Sequence, residues 1–265
     1  MRIGAAYVFN ILNSTTGIRT EDQKLLPGPD PCAYAIINKN RDRGGAFGAS
    51  VAIDGDTIVV GNPWASIDYD GDGQVNNLDV GFRHGTVHVY TRDDPNSDLV
   101  WRQELRAREM QEVDPSWDAN VIHTYGNPPE RWAPAFGHSV GVSGHTIVVG
   151  SYAEDAMLNS GQNGVGVGSA YVFSRNASSP QNWAARAWLK VRDQYPGNMM
   201  GSSVAIDGDT IAVGALGQDN INSDTDSHGA VHVFARDVPG DPNSGWTRSE
   251  EHTSELQSPD HLVCR

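Results

Sequence analysis

The chain has 265 residues, with 19 Lys and Arg against 33 Asp and Glu, giving a formal net charge of −14. That acidic excess argues against nucleic acid or anionic membrane surfaces as partners and suits cation binding. No apolar run is long enough to span a membrane.

In chain order, the first predicted element is GAAYVF, Gly4 to Phe9, which reads as a strand, with IRTEDQKLL, Ile18 to Leu26, beside it. The first unit returns as GTVHVY (Gly85 to Tyr90), GSAYVF (Gly168 to Phe173) and GAVHVF (Gly229 to Phe234). Each later copy follows a longer repeat: FGASVAIDGDTIVVG (Phe47 to Gly61), FGHSVGVSGHTIVVG (Phe136 to Gly150) and MGSSVAIDGDTIAVG (Met200 to Gly214). Loops between repeats vary in length while the strand units do not, which is the mark of a repeat architecture.

Ser50 to Ile53 alternates small or polar with apolar residues, the pattern of a half-buried strand. Asp54-Gly55 reads as the two-residue turn of a hairpin, and Ser143-Gly144 and Asp207-Gly208 occupy the same slot. Thr57 to Gly61 is apolar almost throughout, as a strand covered on both faces should be. GTVHVY supplies a third strand, and WRQEL (from Trp101) and WAARAWL (from Trp183) supply a fourth. Four short antiparallel strands, repeated, describe an all-β chain of β-propeller blades. The only helix-like stretch is Arg102 to Glu112, and an outer strand with its loop accounts for it equally well.

The expected boundaries follow. Residues 1–26 hold the third and fourth strands of an incomplete blade, and 27–46 form a loop. Residues 47–107 form a blade, 108–135 an insertion loop, 136–195 a second blade, and 196–247 a blade lacking its outer strand. Met1 reads as an internal methionine. The last stretch, RSEEHTSELQSPDHLVCR (248–265), loses all alternation and is similar to a translated sequencing adapter, so it is set aside as non-native. The two cysteines are Cys32 and Cys264, and only the first lies outside this tail, so no disulfide is expected in the body of the chain. Strand edges and blade faces are expected to stay uncovered at both ends.

The candidate chemistry is in the loops. DYDGDGQVNNLDV, from Asp68, has the D-x-D-x-D-G order of a calcium loop. Asp68, Asp70 and Asp72 stand at positions one, three and five, Gly73 at the sharp turn, Gln74 at the carbonyl position, Asn76 at nine and Asp79 at twelve. Calcium takes about six to eight hard oxygen ligands, which this set supplies; an acidic turn is the alternative reading. A second candidate, QDNINSDTDSHG, alternates Asn220, Asn222, Asp224 and Asp226 but lacks the turn glycine. The matching middle loop keeps only Glu154 and Asp155 and is expected to bind nothing. His88 and His232 share a phase with Tyr171 and Tyr7, so a packing and hydrogen-bonding aromatic explains them better than a metal or catalytic role. His84 and His228 read as loop residues. The insertion carries Trp117, Tyr125 and Trp132, which could contact a glycan or protein, although packing over the propeller is the stronger reading. Residues 1–247 contain no H-E-x-x-H, Walker or Cys-x-x-Cys motif.

The F-G start, the V-A-I-D-G-D-T hairpin, the V-V-G end and the later G-x-x-Y-V-F together resemble FG-GAP repeats. The resemblance implies an integrin-α-type propeller, of which this chain would hold about three to four blades of seven. It also implies calcium loops between blade strands, secretion or display at the cell surface, and adhesion to or recognition of an extracellular protein or glycan. A propeller region of a larger secreted hydrolase or lyase is the second reading.

Overall fold

A computed structural model describes residues 4–9, 23–28, 45–66, 84–95, 97–114, 134–157, 163–176, 179–191, 195–218 and 229–249. The fold is all-β. Three antiparallel sheets of four strands follow one another along the chain. The first contains β3 (Ser50–Asp54), β4 (Thr57–Asn62), β5 (Thr86–Thr91) and β6 (Val100–Leu105) in that spatial order. The middle sheet contains β7 (Ser139–Ser143), β8 (Thr146–Ser151), β11 (Ser169–Asn176) and β12 (Ser179–Leu189). Between β8 and β11 a small hairpin pairs β9 (Ala156–Met157) with β10 (Asn163–Gly164). The last sheet contains β13 (Met200–Asp207), β14 (Thr210–Ala215), β15 (Ala230–Arg236) and β16 (Trp246–Arg248). Ahead of them, β1 (Ala6–Val8) pairs with β2 (Gln23–Leu25) against the first blade. These are the stacked blades of a partial propeller.

Three expectations are corrected. Asp54 pairs with Thr57, so the two-residue hairpin loop is Gly55-Asp56, one residue later than the sequence suggests. Gly55, Gly144 and Gly208 hold φ of 52°, 54° and 52° at the first loop position, where a glycine-first hairpin turn requires it. The last blade does have an outer strand: Trp246–Arg248 pairs with Phe234, Ala235 and Arg236, and so includes the first residue of the stretch set aside as non-native. The third concerns β3, whose apolar residues Val51 and Ile53 are 60% and 63% exposed. Their middle-blade counterparts Val140 and Val142 are buried, because the first blade stands on them. Arg102 to Glu112 resolves into the end of β6 followed by a 3-10 helix, Ala107–Glu112, with Met110 fully buried.

Each blade is docked on the next by a repeated set of contacts. Ser50 Oγ donates to the Gly137 carbonyl and Ser139 Oγ to the Gly201 carbonyl, both at 2.8 Å. The hairpin tips interlock, with Gly144 N–H donating to Asp54 Oδ2 at 2.5 Å and Gly208 N–H to Ser143 Oγ at 3.1 Å. The glycine that opens the third strand of the first and of the middle blade lies against the start of the next blade. A Cβ on Gly85 would sit 2.1 Å from the Phe136 carbonyl oxygen, and one on Gly168 would sit 2.1 Å from that of Met200. Only glycine permits that approach. Gln103 clamps the next outer strand through its amide, at 2.8 Å to the Trp183 carbonyl and 2.7 Å from the Trp183 N–H. Gln23 does the same for Leu99. Between these polar rows lie the apolar contacts, Val87 and Val89 against Ile147 and Phe173, then Ala170 and Val172 against Ile211 and Val213.

Candidate functional site

The loops joining second to third strands gather at one end of each blade, and all three are closed by the same bonds. Just past the second strand the chain turns: Ala65 N–H bonds to the Asn62 carbonyl, Glu154 N–H to Ser151 and Gln218 N–H to Ala215. The carbonyls of Ala65, Glu154 and Gln218 then accept from the glycines opening the third strands, Gly85 (2.9 Å), Gly168 (2.9 Å) and Gly229 (3.1 Å). Those glycines hold φ of 85°, 75° and 69°. Each loop therefore leaves and returns through one clamp, whatever its length.

In sequence, the predicted ligands fall between the residues that form these clamps. Asp68, Asp70, Asp72, Gln74, Asn76 and Asp79 of the first blade, and Asn220, Asn222, Asp224 and Asp226 of the last, fall outside the described residues. So do His228 and the insertion aromatics Trp117, Tyr125 and Trp132. Among the described residues, no group of three or more His, Cys, Asp or Glu side chains could hold a metal.

In the middle blade the clamp encloses two buried carboxyls. Glu154, 1% exposed, accepts through Oε2 from Tyr171 OH at 2.5 Å and Ser169 Oγ at 2.9 Å. Burial pushes its pKa up to about 7, against the opposing pull of these hydroxyls and the Lys190 charge. Asp155 Oδ1 accepts from Gly166 N–H at 2.8 Å, and burial raises its pKa to about 6. The middle loop is thus held by donors from the protein itself.

The clamp position explains the alternation of His and Tyr in the third strands. Glu154 takes the Tyr171 hydroxyl, and Gln218, in the same slot, meets His232 Nε2 at 2.5 Å. The first blade has Ala65 there, so His88 turns elsewhere. Its Nδ1 accepts from the Trp101 indole at 3.3 Å, and Nε2 lies 3.1 Å from Thr86 Oγ1 and 3.7 Å from Glu104 Oε2. Because an indole N–H only donates, Nδ1 must accept and Nε2 carries the proton, which makes His88 a neutral, packed ring. Both rings, His88 and His232, are buried and hydrogen-bonded within their own blades. His84, expected in a loop, is 6% exposed, and its carbonyl receives the Phe136 N–H across the blade interface. The partnership of Glu154 with Tyr171 was missed from sequence. Comparing Ala65, Glu154 and Gln218 with His88, Tyr171 and His232, blade by blade, is the signal that finds it.

The model of the FG-GAP repeat matches residues 36–90, 134–173 and 183–234, more than half of the chain. The chain belongs to the FG-GAP repeat family. The first two matches cover the first three strands of a blade, and the third runs from the outer strand of the middle blade through β15. The FG-GAP signature thus coincides with the residues that dock blade on blade: the F-G start, the hairpin and the third-strand glycine. No curated protein matches the chain. Among the described residues no helix is long and apolar enough to cross a membrane.

Proposed function

We propose that this chain is a calcium-binding, non-catalytic propeller module that acts outside the cell in adhesion or recognition. The observation that carries the reading is the repeated clamp, which closes the base of the first-blade loop at Ala65 and Gly85. Asp68, Asp70, Asp72 and Asp79, the Asn76 amide and the Gln74 carbonyl would hold the ion. They are hard oxygen donors, which suit calcium and tolerate its flexible geometry. Asn220, Asn222, Asp224 and Asp226 form a second, weaker set with fewer carboxylates. Extracellular placement rests on where FG-GAP repeats typically occur. An extracellular protein or glycan is the partner class.

Calcium that binds only the folded chain should stabilise it by about 2.7 kcal/mol at a hundredfold excess over Kd. Thermal unfolding of the full chain with calcium, magnesium or chelator tests this. Calcium should raise the midpoint and magnesium should do so poorly, since it demands near-octahedral geometry at shorter distances. Identical midpoints in calcium and chelator would rule the ion out. Retention on immobilised matrix proteins and glycans, lost with chelator, tests the recognition role.

A further inference from the structure

In each blade the residue after the hairpin glycine meets the arginine at the far end of the third strand. The backbone contact is the same three times: Arg92 N–H bonds to the Asp56 carbonyl at 3.2 Å, Arg175 to His145 at 3.0 Å and Arg236 to Asp209 at 3.0 Å. The side chains differ. Arg92 Nε lies 3.2 Å from Asp56 Oδ1, and Arg236 Nε donates to Asp209 Oδ1 at 2.5 Å. Arg175 Nε instead donates to His145 Nδ1 at 2.7 Å. Two more carboxylates are replaced in the same blade. Asp54 and Asp207 precede the hairpin glycines of the first and last blades, and Asp93 and Asp237 follow their arginines. The middle blade has Ser143 and Asn176 at these positions. At these aligned positions the first and last tips each set three aspartates around one arginine, and the middle tip sets none. In a chain of net charge −14, the middle tip is the cationic one of the three.

Arg175 is already oriented. Its guanidinium carbon lies 5.7 Å from the centre of the Trp183 ring, a side chain 2% exposed, while His145 holds its Nε–H and its backbone N–H. Because Nδ1 accepts from Arg175, the neutral imidazole carries its proton on Nε2. Burial and the Arg175 charge both hold the His145 pKa below its usual value, so the ring offers a neutral N–H donor at pH 7.5. His145 is exposed and Arg175 partly so. A cation held in place beforehand loses little rotamer freedom when it binds.

We propose that the hairpin tip of the middle blade binds an acidic segment of a partner protein, whose carboxylate gives Arg175 the counter-charge that Asp56 and Asp209 give Arg92 and Arg236. The planar guanidinium fork matches a carboxylate, and a carboxylate is what the other two blades place against it. In both of them it comes as an aspartate carried on a tight turn, which favours a peptide over an acidic sugar. The aspartates around the other two tips repel the same segment, so contact is confined to the middle blade and fixes how the partner sits. The hairpins close the ends of the strands opposite to the second-to-third loops, so this point is separate from the calcium loop. The inference rests on the recognition role proposed above and not on the ion.

The test is ligand-observed NMR on the full chain at pH 7.5, in calcium and in chelator, with the blocked peptides acetyl-Gly-Asp-Gly-amide and acetyl-Gly-Asn-Gly-amide. The aspartyl peptide should bind with Kd on the order of millimolar, about tenfold more tightly than the asparaginyl one, and should shift the His145 ring signals. Calcium should not change these values. His145→Asp rebuilds the pair of the other blades, so it should fold and should lose about tenfold in affinity. Ser143→Asp keeps an acceptor for the Gly208 N–H, as Asp54 does for Gly144, and should weaken binding by a smaller factor. Equal binding of the two peptides overturns the proposal, as does undiminished binding by His145→Asp. Glucuronate that binds about tenfold more tightly than the aspartyl peptide overturns the choice of a protein partner. The titration reads this tip alone, so its failure is distinct from a failure of retention on matrix proteins.

Discussion

The middle and last blades are built from nearly the same strands, yet their surfaces differ. β8, TIVVGS, is buried at all six positions, whereas β14, TIAVGA, alternates between buried and open. Val172 is fully buried, and Val233, its counterpart, is 39% exposed. Nothing in the strands themselves accounts for this. The middle blade is flanked by described blades on both faces and the last on one. Burial in this fold is therefore a property of the neighbour, and the polar and glycine contacts are the device that seats it.

The sharpest way to break that comparison is at the third-strand glycines. Gly168→Ala places a methyl 2.1 Å from the Met200 carbonyl oxygen at a backbone φ of +75°, and neither partner is a flexible side chain. It should cost more than about 4 kcal/mol, at the diagnostic end of single substitutions. Gly229→Ala meets nothing closer than 3.4 Å and should cost only the left-handed backbone, about 1–2 kcal/mol. Urea unfolding of both variants in dilute solution measures the gap, and equal losses would refute the docking role.

The next effect separates the blades by pH. Glu154 has a folded pKa raised from 4.5 to about 7, so its neutral form is the one the fold prefers. Its contribution is fully present below pH 4.5 and is lost as pH rises through 7, on the order of 3 kcal/mol. Gln218 holds the same slot in the last blade and does not titrate. Glu154→Gln keeps an acceptor for Tyr171 and should remove that slope. Asp155 and the half-buried Glu109, a first-turn residue of the 3-10 helix whose pKa is raised to about 7, leave a residual slope of the same sign. Stability of parent and variant measured from pH 4 to 8 gives the difference, and parallel curves would remove Glu154 from the account.

The smallest expected effect compares the two serines. Ser139→Ala deletes a bond across an interface and should cost about 1 kcal/mol. Ser203→Ala, on the open face, should fall within about 0.5 kcal/mol of the parent. Chemical denaturation resolves the two.

How much of this was legible beforehand depended on period. Strand alternation and the repeated F-G, hairpin and third-strand glycine carry the blade architecture openly, because identical neighbours impose identical local demands. What a residue touches across an interface has no local signature. Val51 and Val140 read alike, yet one is open and the other buried. The outer strand Trp246–Arg248 escaped because three residues are too few for a period to register. Glu154 read as the remnant of a cation loop, but its environment comes from Ser169 and Tyr171, which lie beyond the loop. The acidic spacing from Asp68 to Asp79 remains the most explicit chemical signal in the sequence.

Calorimetric titration of calcium into the full chain, parent against Asp72→Ala, tests that signal most directly. Asp72 contributes an oxygen at the fifth loop position, next to the turn glycine. The parent should bind at least one calcium ion that Asp72→Ala either fails to bind or binds much more weakly. If both bind the same number of ions with the same affinity, the first-blade loop is an acidic turn and the calcium-binding account is wrong.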